Sequence, residues 1–255
     1  MTIELPFTYR FSLERLYTTA YVLDGDLFTG ILTGITRLME SNPPYPELLV
    51  VGIGYHLDGL SGDIGRRFHV IRTKDFTPTV DPAFEKTKQE TLGIDRVETG
   101  GAKDFLSFLA NELIPGIETG YRSDPSNRLL FGDSLGGLFG LYALFQAPKL
   151  FRNMIIGSPA IRYGDKLVFR MEEEYARRNE ELSVSLFLGI GGEEETSTGP
   201  LSTISVSDLY RLASIMGSRG YRGLNLSRKI FEGNDHFEVP ALTIQAGLKS
   251  IYYTK

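Results

Sequence analysis

No cysteine occurs in the 255 residues, which excludes disulfides, thiolate nucleophiles and Cys-ligated zinc while leaving the redox compartment open. Histidine is almost as scarce. With three in the chain, any chemistry that needs an imidazole must use His56, His69 or His236. No apolar run approaches the roughly 18 residues that a membrane span requires. Basic charge is not in excess either: the formal net charge is −5, and Arg66-Arg67 and Arg177-Arg178 are isolated pairs, not a stripe, which argues against a nucleic-acid partner. The start, Met-Thr-Ile-Glu-Leu-Pro, has no basic segment followed by an apolar one, so a cytoplasmic protein with no membrane partner is expected.

What is present is ordinary globular material, 42% hydrophobic and 23% charged, in a length that suits one α/β domain spanning residues 1–255. Runs rich in Val, Ile, Phe and Tyr alternate with longer helical patterns. Strands are expected at Tyr17–Leu23, Leu48–Ile53, Arg128–Phe131, Asn153–Ile156, Val184–Ile190 and Leu224–Phe231. Helices are expected between them, among them Phe28–Glu40, Phe105–Thr119 (with Pro115 as a kink) and Leu135–Ala147. Strands separated by helices of 10–15 residues make βαβ units and a mostly parallel central sheet with helices on both faces. Residues 54–100, with glycines bunched early and Pro78 and Pro82 after them, read as an irregular lid or binding-loop region.

The segment Gly132-Asp133-Ser134-Leu135-Gly136 is a G-x-S-x-G sequence, and its context gives it meaning. An apolar strand precedes it and an apolar helix starts directly after the serine. So tight a strand-to-helix turn strains the nucleophile, exposes its hydroxyl above the sheet edge and needs small residues two positions either side. Ser134 is therefore the candidate nucleophile of an α/β-hydrolase fold. The N–H of Leu135, at a helix N-terminus where negative charge is favoured, is half of an oxyanion hole.

A serine hydroxyl needs a base within hydrogen-bond reach. In this fold the chain order is Ser, then Asp or Glu, then His, and His236 alone among the histidines follows the serine. The acid should lie between them after a strand. The run Gly191-Gly-Glu-Glu-Glu195 follows Val184–Ile190, and spacing does not choose among Glu193, Glu194 and Glu195. The second oxyanion donor comes from the loop after the strand that precedes the first long helix, which makes the N–H of Gly25 or Asp26 the candidate.

With these residues placed, the chain resembles the esterase D and siderophore-esterase branch of the α/β-hydrolases from about Tyr17 to its end. The resemblance rests on Tyr21-Val-Leu-Asp-Gly-Asp26, Val51-Gly-Ile-Gly-Tyr55, Arg72-Thr-Lys-Asp-Phe-Thr-Pro78, Gly132-Asp-Ser-Leu-Gly-Gly137, Gly157-Ser-Pro159 and Gly233-Asn-Asp-His236. It implies an acid three residues beyond the glycine that ends the strand, hence Glu194. The chain departs from its relatives in having Asp133 where they usually have His, and Arg162 and Tyr163 where many have two tryptophans flanking the pocket. It also has less antiparallel strand before Tyr17 than relatives do, so either an edge strand is expected to be missing or the start of the chain to be cropped. Arg72, Tyr55, Arg162 and Tyr163 are the candidates for substrate contact. The cluster Arg66, Arg67, Arg72 and Lys74 suits a carboxylate or catecholate.

These residues imply two-step acyl transfer from a small-molecule ester, with Ser134 as nucleophile, His236 as base and Glu194 orienting it. Siderophore-type or other small esters are the expected substrates, and the mechanism needs no metal or cofactor. An acyltransferase on the same fold, or a silent binding protein, are the alternatives.

Overall fold

The computed structural model describes residues 1–42, 44–55, 64–196 and 203–253, and for residues 64–67 the backbone alone. Seven strands form one sheet: β1 (Thr2–Glu4), β2 (Tyr17–Leu23), β3 (Leu48–Ile53), β4 (Ser123–Asp133), β5 (Asn153–Gly157), β6 (Glu181–Gly191) and β7 (Arg222–Phe231). Their spatial order is β1-β3-β2-β4-β5-β6-β7. The short edge strand β1 runs antiparallel to β3, and every other pairing is parallel. Strands β2, β3 and β5 are buried along their whole length, which is why they read as unbroken apolar runs and not as alternating ones.

Helices α1 (Gly25–Met39) and α9 (Val239–Tyr252) cover one face, and Leu32, Ile244 and Leu248 fill the layer beneath them. The opposite face carries α2 (Ile64–Phe76), α3 (Pro82–Leu92), α4 (Ala102–Phe108), α5 (Ile114–Gly120), α6 (Leu135–Gln146), α7 (Tyr163–Ala176) and α8 (Val206–Arg219) over the larger apolar layer. The mostly parallel α/β architecture read from the sequence is the one observed. Among the described residues no helix is long and apolar enough to cross a membrane.

The irregular stretch expected at 54–100 is corrected: it holds two helices, α2 and α3. Pro82 and Gly93 there mark the two ends of a helix. Pro82 stands in the first turn of α3, the Asp81 carboxylate accepts the Phe84 N–H at 3.0 Å as an N-cap, and Gly93 ends the helix at φ +61°. The helix expected at Phe105–Thr119 is interrupted ahead of Pro115, which stands in the first turn of α5. A π turn over Leu109–Leu113 joins α4 to α5.

Register sets up the site. Val22 pairs with Phe131, Asp133 with Gly157 and Gly157 with Gly189. The chain therefore leaves β2, β4, β5 and β6 along one carboxyl edge of the sheet, at Asp24, Ser134, Ser158 and Gly192. Ligands of open parallel sheets bind at that edge.

Candidate active site

Ser134 stands between β4 and α6 at φ +60°, ψ −120°, a conformation that costs an ordinary L-residue about 1–3 kcal/mol. The surroundings hold it there. Its N–H donates to the Gly157 carbonyl at 3.1 Å, and its own carbonyl accepts from Leu138 and Ala160, both at 3.0 Å. A Cβ on Gly132 would overlap the Gly136 carbonyl oxygen, so the small residues flanking the serine are a steric requirement of the turn.

Strand β6 ends at Gly191 and the chain makes one tight turn over Gly192–Glu195. That turn separates three neighbouring acids. Glu193 faces solvent. Glu195 is taken up by α8, accepting from Ser207 N–H at 3.0 Å, Ser207 Oγ at 2.6 Å and Ser205 Oγ at 3.1 Å. Glu194 turns inward, 3% exposed. Its Oε1 accepts Ser158 Oγ at 2.5 Å and the Gly191 N–H at 2.8 Å, and its Oε2 lies 2.8 Å from His236 Nδ1. A carboxylate only accepts, so Nδ1 carries the proton and Nε2 is left as the basic nitrogen.

Burial alone would lower the His236 pKa. The hydrogen bond His236 donates to Glu194 and the negative charges of Asp133 and Glu194 outweigh it and hold the imidazole above its ordinary value. Asp133 itself is buried with Oδ1 unpaired. Burial chiefly pushes its pKa up to about 7: Glu194 and Asp24 reinforce the rise, and His236 and Arg72 oppose it. Of the other histidines, His69 lies on α2, where its carbonyl accepts Thr73 Oγ1 at 2.5 Å, and His56 lies outside the described residues.

Leu135, Gly25 and Asp26 are first-turn residues of α6 and α1. Their N–H groups have no acceptor within their own helix and carry the positive end of its dipole. The turn into α1 is tightly determined. Asp24 is fully buried at φ +49°, and a Cβ on Gly25 would stand 2.6 Å from the backbone of Gly52 and Ile53.

Arg72 holds that turn. Its Nε donates to Asp24 Oδ1 at 2.8 Å and its Nη2 to Oδ2 at 2.6 Å, with the guanidinium 5.4 Å from the ring centroids of both Phe68 and Phe76. Arg162 is committed to Asp208 at 2.7 Å, alongside Lys166 at 2.9 Å. The Tyr163 hydroxyl donates to the Thr79 carbonyl at 2.7 Å. Tyr55 donates its N–H to Asp26 Oδ2 at 2.8 Å and packs its ring against Phe68 and Phe76. Lys74 pairs with Glu98 at 2.7 Å. Three of the four side chains expected at the substrate, those of Arg72, Arg162 and Tyr163, thus have protein partners; the side chains of Arg66 and Arg67 lie outside the described residues. Sequence reasoning did not anticipate Asp24 as the partner of Arg72 or Ser158 as the anchor of Glu194, although both stand within the quoted motifs.

The family described as "Putative esterase" matches residues 81–237. The ferri-bacillibactin esterase BesA of Bacillus subtilis (strain 168) is 27% identical over 241 residues, 91% of this chain and 78% of that protein. The apo-salmochelin esterase of Escherichia coli O6:H1 is 30% identical over 158 residues, 61% of this chain and 45% of that protein. Among solved structures, the siderophore hydrolase EstA from Aspergillus nidulans superposes with a TM-score of 0.82 at 22% identity, covering 99% of this chain and 89% of that one. The BES protein from Bacillus cereus superposes at 0.78 with 27% identity, over 99% and 90%. The α/β-hydrolase fold, a strand-to-helix serine at the carboxyl edge and these relatives agree: the chain belongs to the "Putative esterase" family and is a serine carboxylic-ester hydrolase.

Proposed function

We propose that the protein hydrolyses esters of the siderophore type through an acyl-enzyme on Ser134. Ser134 Oγ attacks the ester carbonyl while His236 Nε2 takes its proton. The C=O π bond opens to a tetrahedral oxyanion, held by the N–H of Leu135 and that of Gly25 or Asp26. Collapse expels the alcohol, which leaves with the proton from His236. Water then attacks the acyl-enzyme with His236 again as base, releasing the acid and restoring Ser134. Glu194 keeps Nδ1 protonated and stabilises the imidazolium formed in each half.

The observation that carries this reading is the hydrogen bond between His236 and the buried Glu194 at the carboxyl edge that also presents Ser134. The substrate class rests on relatives that act on ferri-bacillibactin and apo-salmochelin. Ser134→Ala removes a hydroxyl that supports no core. It should remove hydrolysis of a p-nitrophenyl ester and of a siderophore ester together, at an unchanged melting temperature. Retained turnover by the folded variant would refute the assignment.

A further inference from the structure

Helix α3 buries a lysine that nothing pairs. Lys88 is 6% exposed. Among the described residues its ammonium meets no hydrogen-bond acceptor or carboxylate, only the Phe84 ring, with its centroid 5.5 Å away. The neighbouring acids are already engaged. Asp24 spends both oxygens on Arg72, and Glu85 accepts the Thr99 N–H and hydroxyl at 2.8 and 2.6 Å. Asp81 caps its own helix, and Glu90 faces Lys86 at 4.0 Å. The stem of the side chain is buried, while the unpaired ammonium at its end still reaches solvent. Burial pushes the Lys88 pKa down to about 7, with Arg72 adding to the fall and Asp24 opposing it.

One line of contact and one of charge tie this lysine to the reacting centre. Phe84 packs edge-on against Tyr163 at 5.2 Å, the Tyr163 N–H donates to the Ala160 carbonyl at 3.1 Å, and the Ala160 N–H donates to the Ser134 carbonyl at 3.0 Å. On the other side, the charges that Lys88 feels are those of Arg72 and Asp24, the pair that holds the turn into Gly25 and Asp26. Arg72 is neutralised by Asp24, which leaves Lys88, among the described residues, as an unpaired positive charge beside them.

We propose that Lys88 receives a negatively charged oxygen of the substrate, a carboxylate or an acidic phenolate, carried on the part of the ester remote from the scissile bond. The proposal rests on the reading of Ser134 as nucleophile and makes Lys88 a specificity-determining residue. A substrate anion supplies the partner that the fold withholds, and charge-assisted hydrogen bonds of this kind are the strong ones. A neutral substrate gains nothing from it.

The test uses the full-length protein and three activated nitrophenyl esters whose acyl arms end in a methyl group, a carboxylate and an ionised polyfluorinated phenolate. In Lys88→Met the preference for anionic over neutral ester, read as the ratio of kcat/KM values, should fall at least about tenfold through KM, as loss of a charge-assisted hydrogen bond implies. Lys88→Arg keeps the charge and should keep most of the preference. A fall confined to the carboxylate or to the phenolate ester assigns the anion, and a fall for both assigns either. An unchanged ratio in Lys88→Met overturns the proposal, as does an equal loss on neutral and anionic esters. Failure of the Ser134 reading is separate, since it shows as turnover of the neutral ester by Ser134→Ala. Reductive methylation of the wild-type protein gives a reading that needs no variant. Lys88 should react more slowly with glutarate present, and equal rates with and without glutarate would overturn the proposal.

Discussion

Replacing Glu194 by Gln changes one atom, and the hydrogen bonds around it dictate the result. Oε1 accepts from both Ser158 Oγ and the Gly191 N–H, so the glutamine carbonyl must stay there and its NH2 must face His236. An NH2 group cannot accept from Nδ1, so Nδ1 becomes the acceptor and the imidazole proton moves to Nε2. The nitrogen meant to take the Ser134 proton then already carries one, and the carboxylate that stabilised the imidazolium is gone. The same tautomer error in a serine-protease triad lowers kcat about 10⁴-fold, and a drop of that order is expected here on an activated ester at neutral pH. Glu193→Gln alters an exposed side chain and should stay within about threefold, as surface substitutions do. Glu195→Gln acts on the Ser205 and Ser207 contacts of α8, so it should lower the melting temperature more than the rate. The assay is kcat/KM for the three variants on one p-nitrophenyl ester, with thermal midpoints measured beside it. Glu194→Gln within tenfold of wild type would refute the tautomer argument, and Glu193 or Glu195 as the most damaging site would refute the choice of acid.

Asp133 and Arg72 carry further expectations. The Asp133 pKa is raised in the fold to about 7, so its contribution to stability is complete below the unfolded value of about 4 and is lost as pH rises through about 7. Asp133→Asn should therefore gain in melting temperature on wild type between pH 5 and pH 8; a constant difference would contradict this. The Asp133 charge helps to hold the His236 pKa up, so the same variant should move the acidic limb of kcat/KM to lower pH, and an unmoved limb would show that the two groups do not communicate. Arg72→Met strands the buried Asp24 carboxylate and should cost about 3–5 kcal/mol in chemical denaturation; a loss below about 1 kcal/mol would show that the pair does not hold the turn.

The sheet and the elbow were legible because their signals are local and strong. Buried parallel strands such as Leu48–Ile53 are unbroken apolar runs, and a serine between strand and helix with Gly132 and Gly136 flanking it meets one steric demand. The inward-turning glutamate was singled out only through family resemblance: which of the three adjacent glutamates turns inward depends on the Gly192–Glu195 turn and on Ser158 after another strand. Residues 54–100 were misread because Pro82 and Gly93 are equally good as loop formers and as helix boundaries, and the Asp81 side chain that decides between them is a capping contact, not a periodicity. Arg72 and Lys88 were hidden for a related reason. A charged residue on a helix is ordinarily solvated, and only tertiary packing shows that Asp24 awaits the one while the other has no partner among the described residues.

The central claim is that Ser134 is the residue that becomes acylated, and covalent labelling tests it most directly. After treatment with a fluorophosphonate, mass spectrometry of the digested protein should find one phosphonyl adduct, on the Gly132–Gly137 peptide at Ser134. Neither Ser134→Ala nor wild type treated at a pH that protonates His236 should take up the label at a comparable rate. Stoichiometric labelling of a different serine with loss of esterase activity, or full activity in protein labelled at Ser134, would contradict the account.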